Sequence, residues 1–136
     1  MEYPEIVRLA YSAREKSYSP YSGFAVGACV LAEDGKYYTG TNIENAAYGD
    51  TVCAERTAIF CAVKEGNRKI SKLAIVGGKA GEECKDFCFP CGSCRQVISE
   101  FASEDFQLIL PGPDGELKEF TLAEILPHHF GEDSLK

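Results

Sequence analysis

The sequence lacks an apolar run long enough to cross a lipid bilayer. Its longest apolar stretch, Phe24–Ala32, has about half of the ~20 residues that a transmembrane helix needs. The amino-terminal segment MEYPEIVRLAYSAREK also lacks the basic start and the continuous apolar block of an export signal, because acidic residues and arginine interrupt it. We therefore expect no membrane span and a cytoplasmic location.

Positive charge is also scarce. The 14 Lys and Arg residues are outnumbered by 21 Asp and Glu residues, which leaves a formal net charge of −7 in a chain of 136 residues. Proteins that bind nucleic acids gain much of their affinity from Lys and Arg side chains that displace counterions from phosphates. The acidic balance therefore argues against a nucleic-acid partner and favours a small neutral ligand.

No internal repeat, low-complexity tract or Ser/Gly-rich linker marks a domain boundary. At this length a globular fold buries roughly two-thirds of the surface that its unfolded chain exposes. The hydrophobic content of 45% is sufficient for the core of such a fold. We expect one domain, residues 1–136, whose core does not depend on metal ions or disulfides alone.

Hydrophobic periodicity predicts an α/β fold. Apolar spacing and turn residues indicate four helices and five strands in the order α-β-β-α-β-α-β-β-α. This order predicts a mixed sheet with helices packed on its faces. Thr121 and Glu124 form a capping-box pattern at the start of the last, short helix. The other predicted helices cover roughly 2–17, 52–66 and 97–101, and the predicted strands cover 24–32, 37–43, 73–76, 107–110 and 117–120.

Cysteine is abundant, and its distribution points to metal ions or buried thiols. Seven cysteines are present, and four of them, Cys84, Cys88, Cys91 and Cys94, fall within eleven residues. In a chain without an export signal, such a cluster favours metal ligation or buried thiols over disulfides.

Two short segments, Cys53-Ala54-Glu55-Arg56 and Pro90-Cys91-Gly92-Ser93-Cys94, each lie where a predicted helix begins. Cys91 and Cys94 are three residues apart, so their sulfurs lie on one side of the first helical turn, close enough to bind one metal ion. Three thiolates with a fourth position open to water are typical of a catalytic zinc site. Helix amino termini favour the thiolate form. The two segments thus indicate a zinc ion bound by cysteines, and the residues alone leave the set of ligands open.

The two residues that follow in the first segment add chemistry to this predicted site. Glu55 lies about 200° around a helix from Cys53, so it should not bind the same ion, but it can reach a water molecule there and act as a general acid–base. Arg56 lies three residues from Cys53, on the same side of the helix. Its guanidinium could donate to the sulfurs and withdraw part of their negative charge.

Other interpretations of the cysteines stay open on the residues alone. Cys53, taken without Glu55, would more often be a small core residue. The four clustered cysteines could form a closed structural zinc site or hold an iron–sulfur cluster. The bacterial cluster pattern places a proline after its last cysteine, whereas here Arg95 and Gln96 follow Cys94 and Pro90 precedes Cys91.

The two segments, extended to Arg95 and Gln96, resemble the zinc-dependent cytidine deaminases of the short, homotetrameric type. The segments Tyr18–Ala28 and Asn42–Tyr48 also resemble family segments in the expected order. The resemblance implies a three-layer α/β fold with a mixed five-stranded sheet. It also implies hydrolytic deamination of cytidine and 2′-deoxycytidine to the uridine products and ammonia, in pyrimidine salvage. In this family pattern Cys53, Cys91 and Cys94 would hold one zinc ion per chain, and Glu55 would be the acid–base catalyst.

The resemblance also implies a set of residues that bind the nucleoside. Asn42 and Glu44 would hold the sugar 3′-hydroxyl, and residues two apart on a strand do point to the same face. Phe24 would pack beside the base, and Ala54 would also contact the substrate. The residues alone permit blander roles, since Asn42 and Glu44 could organise a turn and Phe24 could belong to the core.

Tyr48 and Phe130 resemble residues that the short deaminases contribute to the pocket of a neighbouring subunit. The resemblance therefore implies a homotetramer with shared pockets. A deaminase of a cytosine-nucleoside antibiotic of the blasticidin-S type would share the metal residues and stays an alternative. The resemblance assigns no role to Cys84 and Cys88, which lie in a loop longer than the family usually has.

Overall fold

The structure, a computed structural model, describes residues 3–136. Its four helices and five strands follow one another in the predicted order. They are α1 (Glu5–Arg14), β1 (Phe24–Ala32), β2 (Tyr37–Thr41), α2 (Ala54–Lys64), β3 (Ile70–Lys79), α3 (Gly92–Phe101), β4 (Ala102–Pro111), β5 (Leu117–Phe120) and α4 (Leu122–Ile125). In residues 3–136 no helix has the length and apolar character needed to cross a membrane.

The five strands form one mixed sheet in the order β2-β1-β3-β4-β5. Only β3 and β4 run parallel, with α3 as the crossover between them, and the other neighbours are antiparallel. β1 and β3 form the long central pair, with a register that runs from Phe24 opposite Lys79 to Ala32 opposite Ile70. The carboxyl end of β3 therefore lies beside the start of β1.

Helices cover both faces of this sheet, which makes three layers. Residues alternate between the faces along β1, as expected for a strand. Val26, Ala28 and Val30 pack with apolar residues of α2, α3 and α4, whereas Cys29 packs with α1 on the opposite face. The fold thus matches the expected three-layer arrangement, and α2 and α3 share one face.

Glycine allows both helix layers to approach the sheet closely. A Cβ atom on Gly27 would lie 2.1 Å from the carbonyl oxygen of Ala10 in α1. A Cβ atom on Gly40 would lie 2.3 Å from the backbone nitrogen of Ala58 in α2. Because real Cβ contacts are never this short, both helices pack directly against sheet backbone at these positions.

The element boundaries differ from the predicted ones in physically understandable ways. The first helix, predicted over 2–17, ends at Arg14 because the chain turns at Glu15 toward the Ser/Pro-rich segment, residues 17–23. Residue 2 lies outside the described residues. β3 and β4 are longer than their apolar runs because hydrogen bonding continues past the buried core. β2 ends at Thr41, and Ile43 instead forms isolated bridges to Tyr18 and Val52. The capping box of Thr121 and Glu124 is confirmed.

Candidate active site

The amino termini of α2 and α3 bring three cysteine sulfurs together. Cys53 is the residue before α2, and Cys91 is the residue before α3. The sulfurs of Cys53 and Cys91 are 3.8 Å apart, and all three sulfurs of Cys53, Cys91 and Cys94 lie within 4.8 Å of one another. Cysteines from two distant segments of the sequence thus meet at one point.

The arrangement fits a zinc ion. Tetrahedral zinc with Zn–S bonds of about 2.3 Å separates its sulfur ligands by ~3.8 Å, which is the distance between the sulfurs of Cys53 and Cys91. Cys94 is buried, Cys53 is half-buried and Cys91 is exposed, so the group opens to solvent on one side. Within residues 3–136, Cys84 and Cys88 do not join this group. The four-cysteine site considered from the sequence is therefore not formed.

The surroundings of the Cys53 sulfur favour its negatively charged form. A hydrogen bond with Cys94 lowers the pKa of Cys53 to about 5, and Arg56 and Cys91 add to the effect. The backbone N–H of Cys94 donates to the sulfur of Cys91 over 3.4 Å. Thiolate is the form that binds metal ions, so Cys53 is prepared to bind a cation. Its hydrogen bond with Cys94, together with burial, raises the pKa of Cys94 in turn.

Arg56 lies beside the sulfurs, as its spacing predicted. Its Nη2 atom is 3.7 Å from the sulfur of Cys53. Its Nε atom and the hydroxyl oxygen of Thr51 are the buried side-chain polar atoms without a hydrogen-bond partner among residues 3–136. The guanidinium thus donates to the sulfur of Cys53, and its buried Nε–H group remains without a partner among the described residues.

Glu55 is a buried carboxyl group in the first turn of α2. It is only 4% exposed, and it is not part of the sulfur group. Burial raises the pKa of Glu55 to about 7, and the negative charge of Cys53 acts in the same direction. A carboxyl group with such a pKa can both accept and donate a proton at neutral pH. Perturbed carboxyl groups next to metal-ligand clusters are typical of catalytic sites.

Asn42 is buried and uses its side chain to hold the start of β1. Its Oδ1 atom accepts hydrogen bonds from the backbone N–H of Val26, over 3.0 Å, and from the hydroxyl of Ser17. Its Nδ2 atom donates to the carbonyl oxygen of Phe24 over 2.8 Å. The amide therefore fixes the backbone on both sides of Ala25.

Glu44 is also buried and holds the turn before β1. Its Oε1 atom accepts from the backbone N–H groups of Tyr21, over 2.9 Å, and Ser22, over 3.0 Å. The hydroxyl of Ser22 donates to the other oxygen, and this bond is the main cause that lowers the pKa of Glu44. In this structure Asn42 and Glu44 therefore both organise the segment that leads to Phe24. The serines of this network had no signal in the sequence, because they meet partners more than twenty residues away.

The remaining predicted residues lie at the surface or at the helix start. Phe24 is 45% exposed and does not belong to the core. Ala54 is buried as the first residue of α2, between Cys53 and Glu55. Tyr48 and Phe130 are each 60% exposed, and the carbonyl oxygen of Phe130 accepts a hydrogen bond from Gln96 over 2.9 Å.

Arg14 also supports the start of β1, and nothing in the sequence indicated this role. From the end of α1 it donates to the carbonyl oxygens of Ala25, Gly78 and Lys79 over 2.8–3.0 Å. It thereby ties the start of β1 to the end of β3. A large cavity of about 1110 Å³ lies next to it on the α1 face, and this cavity contains none of the predicted site residues.

Comparison with known sequences identifies a family with these features. The model of a family described as the cytidine and deoxycytidylate deaminase zinc-binding region matches residues 2–110. A cytidine deaminase from Sporosarcina psychrophila is 44% identical over 135 residues, which cover 99% of this chain and 96% of the relative. A cytidine deaminase from Halalkalibacterium halodurans is 42% identical over 135 residues, which cover 99% and 98% of the two chains.

Solved structures show the same similarity. The crystal structure of cytidine deaminase from Burkholderia pseudomallei is 39% identical and superposes with a TM-score of 0.84 over 96% of this chain and 100% of that one. The crystal structure of cytidine deaminase from Mycobacterium tuberculosis is 35% identical and gives a TM-score of 0.79 over 93% and 95%. The sequence and the fold thus point to one family.

Proposed function

The chain belongs to the cytidine and deoxycytidylate deaminase zinc-binding family, and from this membership we propose that it hydrolyses cytidine and 2′-deoxycytidine. The products would be uridine, 2′-deoxyuridine and ammonia, and the activity would serve pyrimidine salvage in the cytoplasm. The observation that carries this proposal is the group of three cysteine sulfurs with a buried carboxyl group beside it.

Cys53, Cys91 and Cys94 would hold the zinc ion. When bound, zinc is a Lewis acid that lowers the pKa of water in its open position to about 7. The thiolates and the ion together carry a charge of −1, and the guanidinium of Arg56 beside Cys53 would offset part of it. The chain's own residues thus prepare the charge of the site before substrate arrives.

Glu55 would transfer the protons of the reaction. In hydrolysis of the C4–N bond, water adds to C4 of the base, one proton moves to ring N3, and another moves to the departing amine. Glu55 would accept a proton from the water and donate it to N3. It would then take the second proton from the hydroxyl on C4 and pass it to the amine, so that the C4 carbonyl forms as the C4–N bond breaks and ammonia leaves. Its pKa of about 7 suits both directions of transfer.

Phe24, Ala54, Asn42 and Glu44 would bind the nucleoside. Phe24 is exposed at the start of β1, where its ring can pack against a base. The amide of Asn42 and the carboxylate of Glu44 are buried beside this strand and could bind the 3′-hydroxyl of the sugar while holding the turn. The same bonds that fix the turn would then keep these groups in place for substrate.

Tyr48 and Phe130 would complete the pocket of a neighbouring subunit in a homotetramer of single-domain chains. Both rings are 60% exposed. Further large apolar side chains, including Phe60 and Ile43, are each 48% exposed. Exposed apolar surface of this kind is typical of an interface between chains.

A substrate panel with metal analysis tests the proposal. We expect one zinc ion per chain. We expect turnover of cytidine and 2′-deoxycytidine, measured as loss of absorbance and release of ammonia, and no turnover of adenosine. Glu55→Gln should keep its zinc and lose roughly 10²- to 10⁴-fold in turnover. Glu65→Gln, at an exposed glutamate after the same helix, is the matched control and should stay active. Turnover of a cytosine-nucleoside antibiotic without turnover of cytidine would overturn the assignment of the substrate.

A further inference from the structure

The long loop between β3 and α3 crosses the end of β3 and packs one cysteine on each side of it. Gly77 and Gly78 lie just before Lys79, the last residue of β3, and face opposite sides of the sheet as neighbours on a strand do. A Cβ atom on Gly77 would lie 2.5 Å from the sulfur of Cys88, on the face that carries α2 and α3. A Cβ atom on Gly78 would lie 3.6 Å from the sulfur of Cys84, on the α1 face.

Phe24 meets Cys88 across Gly77. The position of a Cβ atom on Gly77 is only 3.1 Å from Cε2 of the Phe24 ring, as well as 2.5 Å from the Cys88 sulfur. The ring and the sulfur therefore occupy the space that a side chain at position 77 would need. Phe24, Gly77 and Cys88 also line one cavity of about 200 Å³. The ring of Phe24 thus has a defined support on the side of β3.

Cys88 faces this position as a neutral thiol. Burial raises the pKa of Cys88 to about 12, and the charges of Glu55 and Cys53 act in the same direction. The sulfur lies outside the group of three metal ligands. Cys88 therefore acts here as a small apolar side chain, near the site but separate from the sulfurs that bind the ion.

We propose that Gly77 and Cys88 are positioning residues that set where the Phe24 ring stands and so determine how large a base the nucleoside pocket accepts. This inference rests on the proposed function through the role of Phe24. A larger residue at position 77 pushes the ring toward the pocket. A smaller residue at position 88 lets the ring settle back against β3.

Opposite size changes at the two positions test the inference. The two variants are Gly77→Ala and Cys88→Ala, and the probes are cytidine and the bulkier 5-methylcytidine. Gly77→Ala should raise KM for cytidine about tenfold with little change in kcat, and should penalise 5-methylcytidine more. Cys88→Ala should change the ratio of kcat/KM in the other direction, in favour of 5-methylcytidine. The double variant should return toward the wild type, because the added methyl group fills the space of the removed sulfur.

Gly78→Ala is the matched control. Its Cβ atom would meet Cys84 at 3.3 Å or more on the other face of β3, so KM and the substrate ratio should stay at wild-type values. Melting curves and zinc content of every variant show whether the fold and the metal site are intact. If Gly77→Ala does not fold, the inference is tested by the ratio of kcat/KM for 5-methylcytidine to that for cytidine in Cys88→Ala.

Two results would overturn the inference. One is an unchanged substrate ratio in folded, zinc-containing Cys88→Ala, and the other is an equal effect of Gly78→Ala. Calorimetry can compare the binding of cytidine and 5-methylcytidine to the same variants, and this measurement does not require turnover. A wild type that binds nucleosides without deaminating cytidine would contradict the proposed function while the comparison of pocket size still holds.

Discussion

Arg56 is the residue whose charge most directly serves the sulfur site. Its Nη2 atom donates to the sulfur of Cys53, and it contributes to the low pKa of that thiol. Protons compete with metal ions for thiolates, so a group that lowers the thiol pKa extends metal binding to lower pH. The guanidinium should therefore matter for holding zinc in acid as well as for activity.

Replacing Arg56 with Gln should make zinc dissociate at higher pH. Without the guanidinium the pKa of Cys53 rises, and protons displace the ion sooner as the pH falls. A hydrogen bond to a charged group contributes about 1.5–3 kcal/mol, so the pKa of Cys53 should rise by roughly 1–2 units. Because protons on three thiolates replace one zinc ion, the midpoint of zinc release should move up by about a third of that, roughly 0.4–0.7 pH unit. Zinc release followed with a chromogenic chelator during acid titration measures it. Arg8→Gln, at an exposed arginine of α1, should leave the midpoint unchanged.

At this scale the sequence predicted what short spacing can determine. Cys91 and Cys94 share one helical turn, and Glu55 and Arg56 lie two and three residues after Cys53, so local geometry was enough to group the residues within each segment. That the two segments meet at one site was implied by the family resemblance, and the structure brings the three sulfurs together. The bonds of Asn42 and Glu44 to the turn before β1 could not be predicted, because they join segments that meet only after the hairpin has formed.

At the scale of the helices and strands, the close contact of α1 with β1 depends on the absence of a side chain at Gly27. A Cβ atom on Gly27 would lie 2.1 Å from the carbonyl oxygen of Ala10 and 2.6 Å from the backbone nitrogen of Arg14. Both atoms belong to the helix backbone, which cannot move as a side chain can. Only displacement of the whole helix would relieve the clash.

Gly27→Ala should therefore lower the free energy of unfolding by at least ~2 kcal/mol, since overpacking of a dense interior usually costs 1–3 kcal/mol. Thermal or urea denaturation measures the change. Gly49→Ala is the control, because a Cβ atom there would meet nothing within 4 Å. Equal stability of the two variants would show that α1 can shift away from the sheet without loss.

The hairpin of β1 and β2 is linked to the loop after α2 by a hydrogen-bonded group around Asp34. Tyr38 donates its hydroxyl to the carboxylate of Asp34 over 2.6 Å, and Lys36 and Asn67 donate to the same carboxylate. These bonds, with the bond from Tyr38 as the main cause, lower the pKa of Asp34. A carboxyl group whose pKa is lower in the folded state stabilises the fold above its unfolded pKa, and this stabilisation is lost as the pH falls through the folded pKa.

Asp34→Asn should consequently be less stable than the wild type at neutral pH but not in acid. The gap in melting temperature should be constant above about pH 5 and should close below about pH 4, near the unfolded pKa of aspartate. Melting temperatures measured across this range test it. The exposed Asp114 lies outside this group, so Asp114→Asn should show no gap that closes with pH. A gap of constant size for Asp34→Asn would mean that its charge plays no part.

The order of helices and strands could be predicted because each element carries its own periodicity and stop signals. Phe24–Ala32 was predicted with its correct ends, since the Ser/Pro-rich segment before it and Asp34-Gly35 after it define a strand between turns. The position of the loop around Cys84 and Cys88 was beyond the sequence. It depends on Gly77 and Gly78 near the end of β3, and their effect on the loop appears only once the strand and the loop are packed together.

At the scale of the whole molecule, a pocket shared between subunits can be tested only in an assembly of several chains. If Phe130 serves the pocket of a neighbour while Glu55 serves its own, the two residues of one active site come from different chains. Phe130→Ala and Glu55→Gln would then each inactivate homotetramers by damaging different contributions to the same site. A tetramer that contains both kinds of chain would hold some sites in which both residues are native.

Mixing the two variants, after dissociation and reassembly at equal concentration, should therefore restore activity. Random assembly gives about a quarter of the sites a native Glu55 and a native neighbouring Phe130. Sedimentation establishes the tetramer, and mass spectrometry of the mixture establishes that mixed tetramers have formed. The control is a mixture of Glu55→Gln with Cys53→Ala. This mixture should remain inactive, because Glu55 and Cys53 of one active site come from the same chain, so no mixed tetramer contains a site in which both are native. Mixed tetramers without recovered activity would place Phe130 in the pocket of its own chain or outside any pocket, and the exposure of its ring would then need another explanation.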